Sequence, residues 1–274
     1  LQALGRLDAG QGVPTLLEAL NDLRARIAIY ALRRALLEMP VGQAVSLLRG
    51  VPLEKVTVAK EVVRLLGELP SKEAYRALLA LDGRDLHRDV RIALLRALWT
   101  HLEQPESWVI LERAARSPDP AVASGVVRIP VEHVTAAVQR RLVALLATLL
   151  AHPDPAVRLD VLRRAAWLPV NDPDQALLPG LLASLASPYP HEYAAAAGAV
   201  FATYTGRDAP RVGAAVERLL PERRALQTVV RTLLAGTGGS RGKLLPTARS
   251  VLQALAGDPL TASLRVELAI HALP

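Results

Sequence analysis

The chain has 274 residues, of which 51% are hydrophobic and only 3% are aromatic, and it contains 20 prolines and no cysteine. The lack of cysteine excludes disulfides, thiolate metal sites and a cysteine nucleophile. An excess of 33 basic over 26 acidic side chains gives a formal charge of +7, which favours an acidic partner such as nucleic acid, an anionic membrane surface or an acidic protein. A Leu- and Ala-rich chain with few aromatic residues favours short, closely packed helices over a β-sandwich.

No targeting or membrane-spanning segment is visible in the sequence. The first residues lack the basic segment and apolar core of a signal peptide. The longest apolar runs, 142–151 and 193–205, are shorter than the ~18 residues that a membrane-spanning helix needs. We therefore expect a cytoplasmic protein without membrane insertion. The chain begins without Met and is apolar at both ends, and because solenoids need polar caps we expect 1–274 to be a single repeat domain within a longer chain.

Helical periodicity and regularly placed prolines predict pairs of short helices along the whole chain. The first helix of each pair is predicted at 13–21, 41–49, 72–81, 106–116, 133–151, 174–186, 209–219 and 244–256. The second helix is predicted at 23–38, 53–69, 86–102, 120–129, 155–168, 190–204, 222–235 and 260–272. One long glycine-rich loop is predicted at 236–243.

The clearest of these helices follows Asp154. This residue is a suitable N-cap, and Pro155 stands in the first turn, where its missing N–H costs nothing. Val157, Val161 and Leu162 fall on one face, and a proline at 169 ends the helix.

A pattern of two apolar residues followed by Arg recurs in the second helices. The steps between these arginines are 31, 32, 32, 35 and 68 residues, the last being two steps with one arginine missing near Tyr193. A period in the low thirties that is carried by helices alone predicts a helical solenoid. The arginines are Arg33, Arg64, Arg96, Arg128, Arg163 and Arg231.

The run Asp154-Pro155-Ala156-Val157-Arg158 is echoed at 119–122, at 88–91 and by Asp22 with Arg26. With these motifs the units resemble HEAT repeats of the short bacterial kind called HEAT-like or phycobilisome-lyase-like. The resemblance implies an all-α fold, a right-handed α-α superhelix of about eight helix pairs. It also implies that the Asp and the Arg four residues later link adjacent repeats. The chain departs from the pattern at Ala123, at Tyr193 and in the final unit.

The arginines of the second helices are the candidate binding residues. On the 155–168 helix Arg163 points away from the apolar face, whereas Arg158 lies at the core edge and is interpreted as structural. The resemblance places second helices on the concave face of the superhelix, so we predict a protein–protein interaction scaffold whose basic concave groove binds an acidic partner. Residues of this candidate arginine stripe are Arg33, Arg34, Arg64, Arg96, Arg128, Arg163, Arg164 and Arg231.

The alternative to a binding surface is a solvated face whose charges are met locally, since Glu61 and Asp160 each lie three residues before a stripe arginine. A second alternative is a nucleic-acid-binding module related to the HEAT-like alkylpurine DNA glycosylases, which hold DNA with Trp and a catalytic Asp on a basic concave face. Trp99 near Glu103 and Trp167 near Asp172 are the residues to compare, although packing between repeats explains Trp167 more simply.

Neither catalytic residues nor a cofactor, metal or small-molecule substrate are predicted. The His-Glu pairs of HEAT-like di-iron hydroxylases are matched only by His191-Glu192 and a reversed Glu132-His133, which do not recur at the repeat period. A bilin lyase is an alternative that rests on the resemblance alone, and nothing in the sequence supports a chromophore site. The glycine-rich loop before Lys243 lacks the residues of a phosphate-binding loop.

Overall fold

The computed structural model describes residues 12–21, 25–131, 134–168, 176–203 and 208–219. All regular structure in these residues is helical, which confirms the all-α prediction. Two 3₁₀ helices span Ala19–Asn21 and Leu98–His101. The α-helices are α1 Val13–Glu18, α2 Ala25–Glu38, α3 Val41–Arg49, α4 Val56–Glu68, α5 Lys72–Asp82, α6 Arg88–Ala97, α7 Pro105–Ala115, α8 Pro120–Val127, α9 Ala136–Leu149, α10 Pro155–Ala165, α11 Leu178–Ser184, α12 Pro190–Thr203 and α13 Ala209–Glu217.

Each helix predicted within the described ranges is present, with ends that differ by a few residues. The largest difference in kind is at 86–102, where α6 ends at Ala97 and continues as a 3₁₀ helix. In an α-helix the Ala97 carbonyl would accept the backbone N–H of His101. Here it accepts the hydroxyl of Thr100 instead. The predicted helices 222–235, 244–256 and 260–272 and the glycine-rich loop 236–243 lie outside the described residues.

The turns that precede α8, α10 and α12 share one construction. In each, a side chain accepts the backbone N–H of the second residue after it, at 3.1–3.2 Å. A proline then begins the helix, and in the first two turns an Asp caps it by accepting the N–H of Ala121 or Ala156. The accepting residues are spaced 35 apart in the sequence and are Ser117, His152 and Ser187.

The chain divides into two compact units, Leu1–Pro130 and Val131–Pro274. In the first unit α1 packs on α2, α3 on α4, α5 on α6 and α7 on α8. The first helices α3, α5 and α7 also contact one another in succession, as do the second helices α4, α6 and α8. Leucines fill the space between the two rows, where each fully buried side chain contributes about 1.5–3 kcal/mol. They include Leu32, Leu48, Leu66, Leu78, Leu94 and Leu111.

In the second unit α10 packs on α9 and on α12, and α11 packs on α12 and α13. Val157, Val161 and Leu162 of α10 are fully buried, as the helical periodicity predicts. No helix in the part of the chain that the structure describes is both long and apolar enough to span a membrane.

The second helices α4 and α6 cross at Gly67. A Cβ atom at this position would lie 2.7 Å from the Cβ of Ala97, so the crossing depends on glycine. The Thr100 hydroxyl shares its one proton between the Ala97 carbonyl and the Gly67 carbonyl, which lies 3.3 Å away. These contacts hold the two helices that form most of the groove described below.

Candidate binding site on the second helices

The structure places most of the arginine stripe in the first unit. Arg33, Arg34, Arg96 and Arg128 are exposed there, and Arg64 is half-buried. In the second unit Arg163 is exposed and Arg164 is half-buried. Arg231 lies outside the described residues.

Three stripe arginines are neutralised by nearby carboxylates. Arg33 Nε lies 2.8 Å from an oxygen of Glu68, and Arg34 Nε donates to Glu38 at 2.9 Å. Arg64 binds Glu61 through two nitrogens, one of them at 3.0 Å, and donates to Glu68 at 2.6 Å. This chain of alternating charges connects α2 to α4.

Arg64 has a structural role because it neutralises the carboxylate of Glu61. The Glu61 carboxylate is buried, and a buried carboxylate is tolerated only when it is paired. The hydrogen bond with Glu61 raises the pKa of the Arg64 guanidinium above its ordinary value, with burial acting in the opposite direction. Local neutralisation, the alternative to a binding surface, therefore holds for Arg64.

Local neutralisation does not hold for Arg96, Arg128 or Arg163, which form no ion pair with any described residue. Asp160 has the same spacing to Arg163 as Glu61 has to Arg64, but no ion pair joins the two. The stripe thus contains two kinds of arginine: neutralised at its start, and exposed and unpaired at these three positions.

A groove of about 720 Å³ lies across α2, α4 and α6 in the first unit, and we call it the α4–α6 groove. Its apolar lining includes Ile29, Ile92, Ala93 and Ala97. Its charged lining consists of Lys60, Glu61, Arg64, Glu68, Asp89 and Arg96.

The unpaired charge in this groove is positive. Glu61, Glu68 and Arg64 are bound to one another, and Asp89 lies 3.7 Å from Arg88. Lys60 and Arg96 make no ion pair within the described ranges. Lys60 was not among the predicted site residues, although it precedes Arg64 by one helical turn and so shares its face.

Arg158 links α10 to α12 rather than extending the arginine stripe. It donates to the carbonyls of His152 and Pro153 at 2.7 and 2.8 Å, and it binds both oxygens of Glu192 on α12, at 2.8 and 3.3 Å. The Ser187 hydroxyl donates to Glu192 at 2.7 Å. The structural interpretation of Arg158 agrees with these contacts, whereas Asp154 caps its own helix.

Glu192 is therefore committed to Arg158 and Ser187, while His191 beside it is exposed. Across the described residues, no group of three or more His, Asp or Glu side chains could hold a metal ion.

The three tryptophans have different surroundings. Trp108 is buried and its indole N–H donates to the Leu102 carbonyl at 2.7 Å, and Trp99 is half-buried. Trp167 is 84% exposed, so the expectation that it packs between repeats is wrong. The reason is that α10 ends at Ala165, and Trp167 falls on the following turn, away from the buried face of the helix. Asp172 lies outside the described residues.

A small polar cluster joins α5 to α7. The Tyr75 hydroxyl lies 3.1 Å from the Ser107 hydroxyl, and the Tyr75 ring packs on His101 with centroids 4.6 Å apart. Burial lowers the pKa of His101 and raises that of Tyr75. This cluster connects neighbouring first helices.

No protein-family model matches the chain, and no curated protein gives a significant match to it.

Proposed function

We propose that this protein is a HEAT-like scaffold that binds an acidic partner protein through unpaired arginines on its second helices. The proposed fold is a right-handed α-α superhelix of about eight helix pairs. Three features support it: the paired helices, the packing of like helix on like helix within each unit, and the turn that recurs at 117, 152 and 187.

The observation that carries the binding proposal is the contrast within the arginine stripe. Arg96, Arg128 and Arg163 occupy the same place in the repeat as Arg33 and Arg64, but they are exposed and unpaired in the described part of the chain. Exposed arginines of this kind steer an acidic partner and are frequent among the residues that dominate binding energy. A surface of preformed helices binds without a large ordering cost.

A protein partner is favoured over nucleic acid because few free cations remain in the same region. Glu61, Glu68 and Asp89 line the groove, and Arg33 and Arg64 are already neutralised. Duplex DNA carries one negative charge per ~1.7 Å and needs a dense run of free cations. We assign no enzymatic role to these residues.

Fluorescence anisotropy tests the proposal with two labelled probes, polyglutamate and duplex DNA, at ~50 and ~200 mM salt. The test variant is Arg96→Glu/Arg128→Glu/Arg163→Glu. The matched control is Arg49→Glu/Arg76→Glu/Arg140→Glu, which makes the same change of net charge at exposed, unpaired arginines of the first helices α3, α5 and α9.

We expect polyglutamate to bind both the unmodified chain and the control variant. It should bind the test variant at least about tenfold more weakly. Equal losses in both variants would show that net charge alone attracts the probe, and the proposal would fail. Tight DNA binding with a steep salt dependence, lost only in the test variant, would establish the nucleic-acid module instead.

A further inference from the structure

The α4–α6 groove combines an apolar lining with two free cations. Ile29 on α2 and Ile92 on α6 line it together with the small side chains of Ala93 and Ala97. Lys60 and Arg96 extend into the same space from α4 and α6. Its volume of about 720 Å³ falls in the range of sites that enclose a ligand of several side chains' size.

The remaining charges of the groove are already used. Arg64 holds Glu61 and Glu68, and Arg33 lies 2.8 Å from the second oxygen of Glu68. The third carboxylate, that of Asp89, lies 3.7 Å from Arg88. The other charged side chains of the groove are therefore paired, and only Lys60 and Arg96 are available to bind a charged ligand. Their positive charges call for carboxylates on the ligand.

The groove is also formed before any ligand arrives. Gly67 allows α4 and α6 to approach closely, and the Thr100 hydroxyl bridges to the Gly67 carbonyl. The Arg33–Glu68 ion pair connects α2 to α4 across the groove. A site held in this way loses little conformational entropy on binding.

We propose that the α4–α6 groove anchors an amphipathic acidic segment of the partner protein, with an apolar side chain against Ile92 and carboxylates on Lys60 and Arg96. This proposal rests on the proposed scaffold function and names the place and chemistry of the contact. A nucleic-acid backbone fits less well, because its phosphates and sugars would leave the apolar lining uncovered.

The probe is a fluorescein-labelled peptide of about four helical turns, with leucines on one face and glutamates on the other. Two comparison peptides separate the contributions of charge and of apolar contact: one carries glutamine in place of each glutamate, and the other is polyglutamate. Binding to the full chain is measured by anisotropy. The groove variant is Lys60→Gln/Arg96→Gln, which leaves the structural pair of Arg64 and Glu61 intact.

The matched control is Lys72→Gln/Arg76→Gln on α5, which removes the same two charges from exposed positions of a first helix. We expect the Leu/Glu peptide to bind the control as it binds the unmodified chain, and to bind the groove variant at least about tenfold more weakly. The glutamine peptide and polyglutamate should each bind more weakly than the Leu/Glu peptide, because each loses one half of the contact.

A separate variant, Arg128→Gln/Arg163→Gln, distinguishes failure of the groove from failure of the scaffold proposal. Peptide binding that survives Lys60→Gln/Arg96→Gln but is lost in this second variant would overturn the groove and leave the scaffold proposal standing. Polyglutamate that binds as tightly as the Leu/Glu peptide would also overturn it, since the apolar lining would then contribute nothing. If neither acidic probe binds the unmodified chain, both proposals are wrong.

Discussion

Arg64 and Arg96 occupy equivalent positions on consecutive second helices, but their surroundings differ. Arg64 is bound to the buried carboxylate of Glu61, whereas Arg96 is exposed and unpaired in the described structure. We expect Arg64→Met to lower the free energy of unfolding by about 2 kcal/mol, less than for a fully buried pair because Arg64 is partly exposed. Arg96→Met should change it by less than about 0.5 kcal/mol.

Urea unfolding followed by helical circular dichroism measures both variants. Equal effects of the two substitutions would mean that the Glu61 pair does not stabilise the fold. The pair itself could be predicted from sequence, since the two residues are three apart on a helix. The Arg33–Glu68 contact could not, because it depends on how closely α2 approaches α4.

His101 gives the fold a pH dependence of known sign. Burial lowers its pKa, so the unfolded chain binds a proton at a higher pH than the folded one. The stabilisation is complete above the unfolded pKa of about 6.5 and is lost as the pH falls through the folded value. We therefore expect the urea concentration at the unfolding midpoint to decrease when the pH is lowered from about 7.5 to about 5.5.

His101→Phe keeps an aromatic ring against Tyr75 but removes the titrating group. The fall in midpoint between the same two pH values should be smaller in this variant than in the unmodified chain. If both proteins lose the same stability, other groups cause the pH dependence.

At the scale of the helix, Gly67 determines how closely α4 and α6 pack. Alanine is the better helix former by about 1 kcal/mol, so Gly→Ala in an open helix should stabilise. At Gly67, however, the new Cβ would meet the Cβ and Cα of Ala97 at 2.7 and 3.0 Å. We expect Gly67→Ala to destabilise the protein by about 1–3 kcal/mol through overpacking.

Gly198→Ala in α12 is the matched control, because no atom outside its own helix lies within 4 Å of the new Cβ. This substitution should stabilise by up to about 1 kcal/mol. Thermal and urea unfolding of both variants are the measurements. A stabilising Gly67→Ala would show that α4 and α6 can move apart without loss.

Helix positions were predictable because their signals are local. Pro120 and Pro155 with their preceding Asp caps mark the starts of α8 and α10, and Pro190 marks the start of α12. The exposure of Trp167 was not predictable in this way, since it depends on α10 ending two residues earlier. Lys60 could not be predicted for a related reason: it lies outside the recurring pattern of two apolar residues and Arg, and the groove it lines is formed by three helices.

At the scale of the whole molecule, packing of each helix pair mainly on its neighbours predicts a local response to damage. In a repeat array, stability is close to a sum of terms for each repeat and each interface. We expect Gly67→Ala to accelerate amide hydrogen exchange chiefly in α4 and α6, with little change in α10 and α12. Hydrogen exchange detected by mass spectrometry, peptide by peptide, measures this, and uniform acceleration along the chain would contradict it.

The Arg158–Glu192 pair restricts the order in which the segments that follow the three similar turns can be arranged. The positions that correspond to Glu192 in the two preceding second helices are Val122 and Val157, both buried. If the 35 residues 117–151 were duplicated or removed, the position that corresponds to Glu192 would still hold a buried valine next to the same kind of helix. Moving the α12 repeat elsewhere would bury the Glu192 carboxylate, now 4% exposed, without its guanidinium, at a cost of several kcal/mol. One ion pair therefore makes two segments with similar turns non-interchangeable.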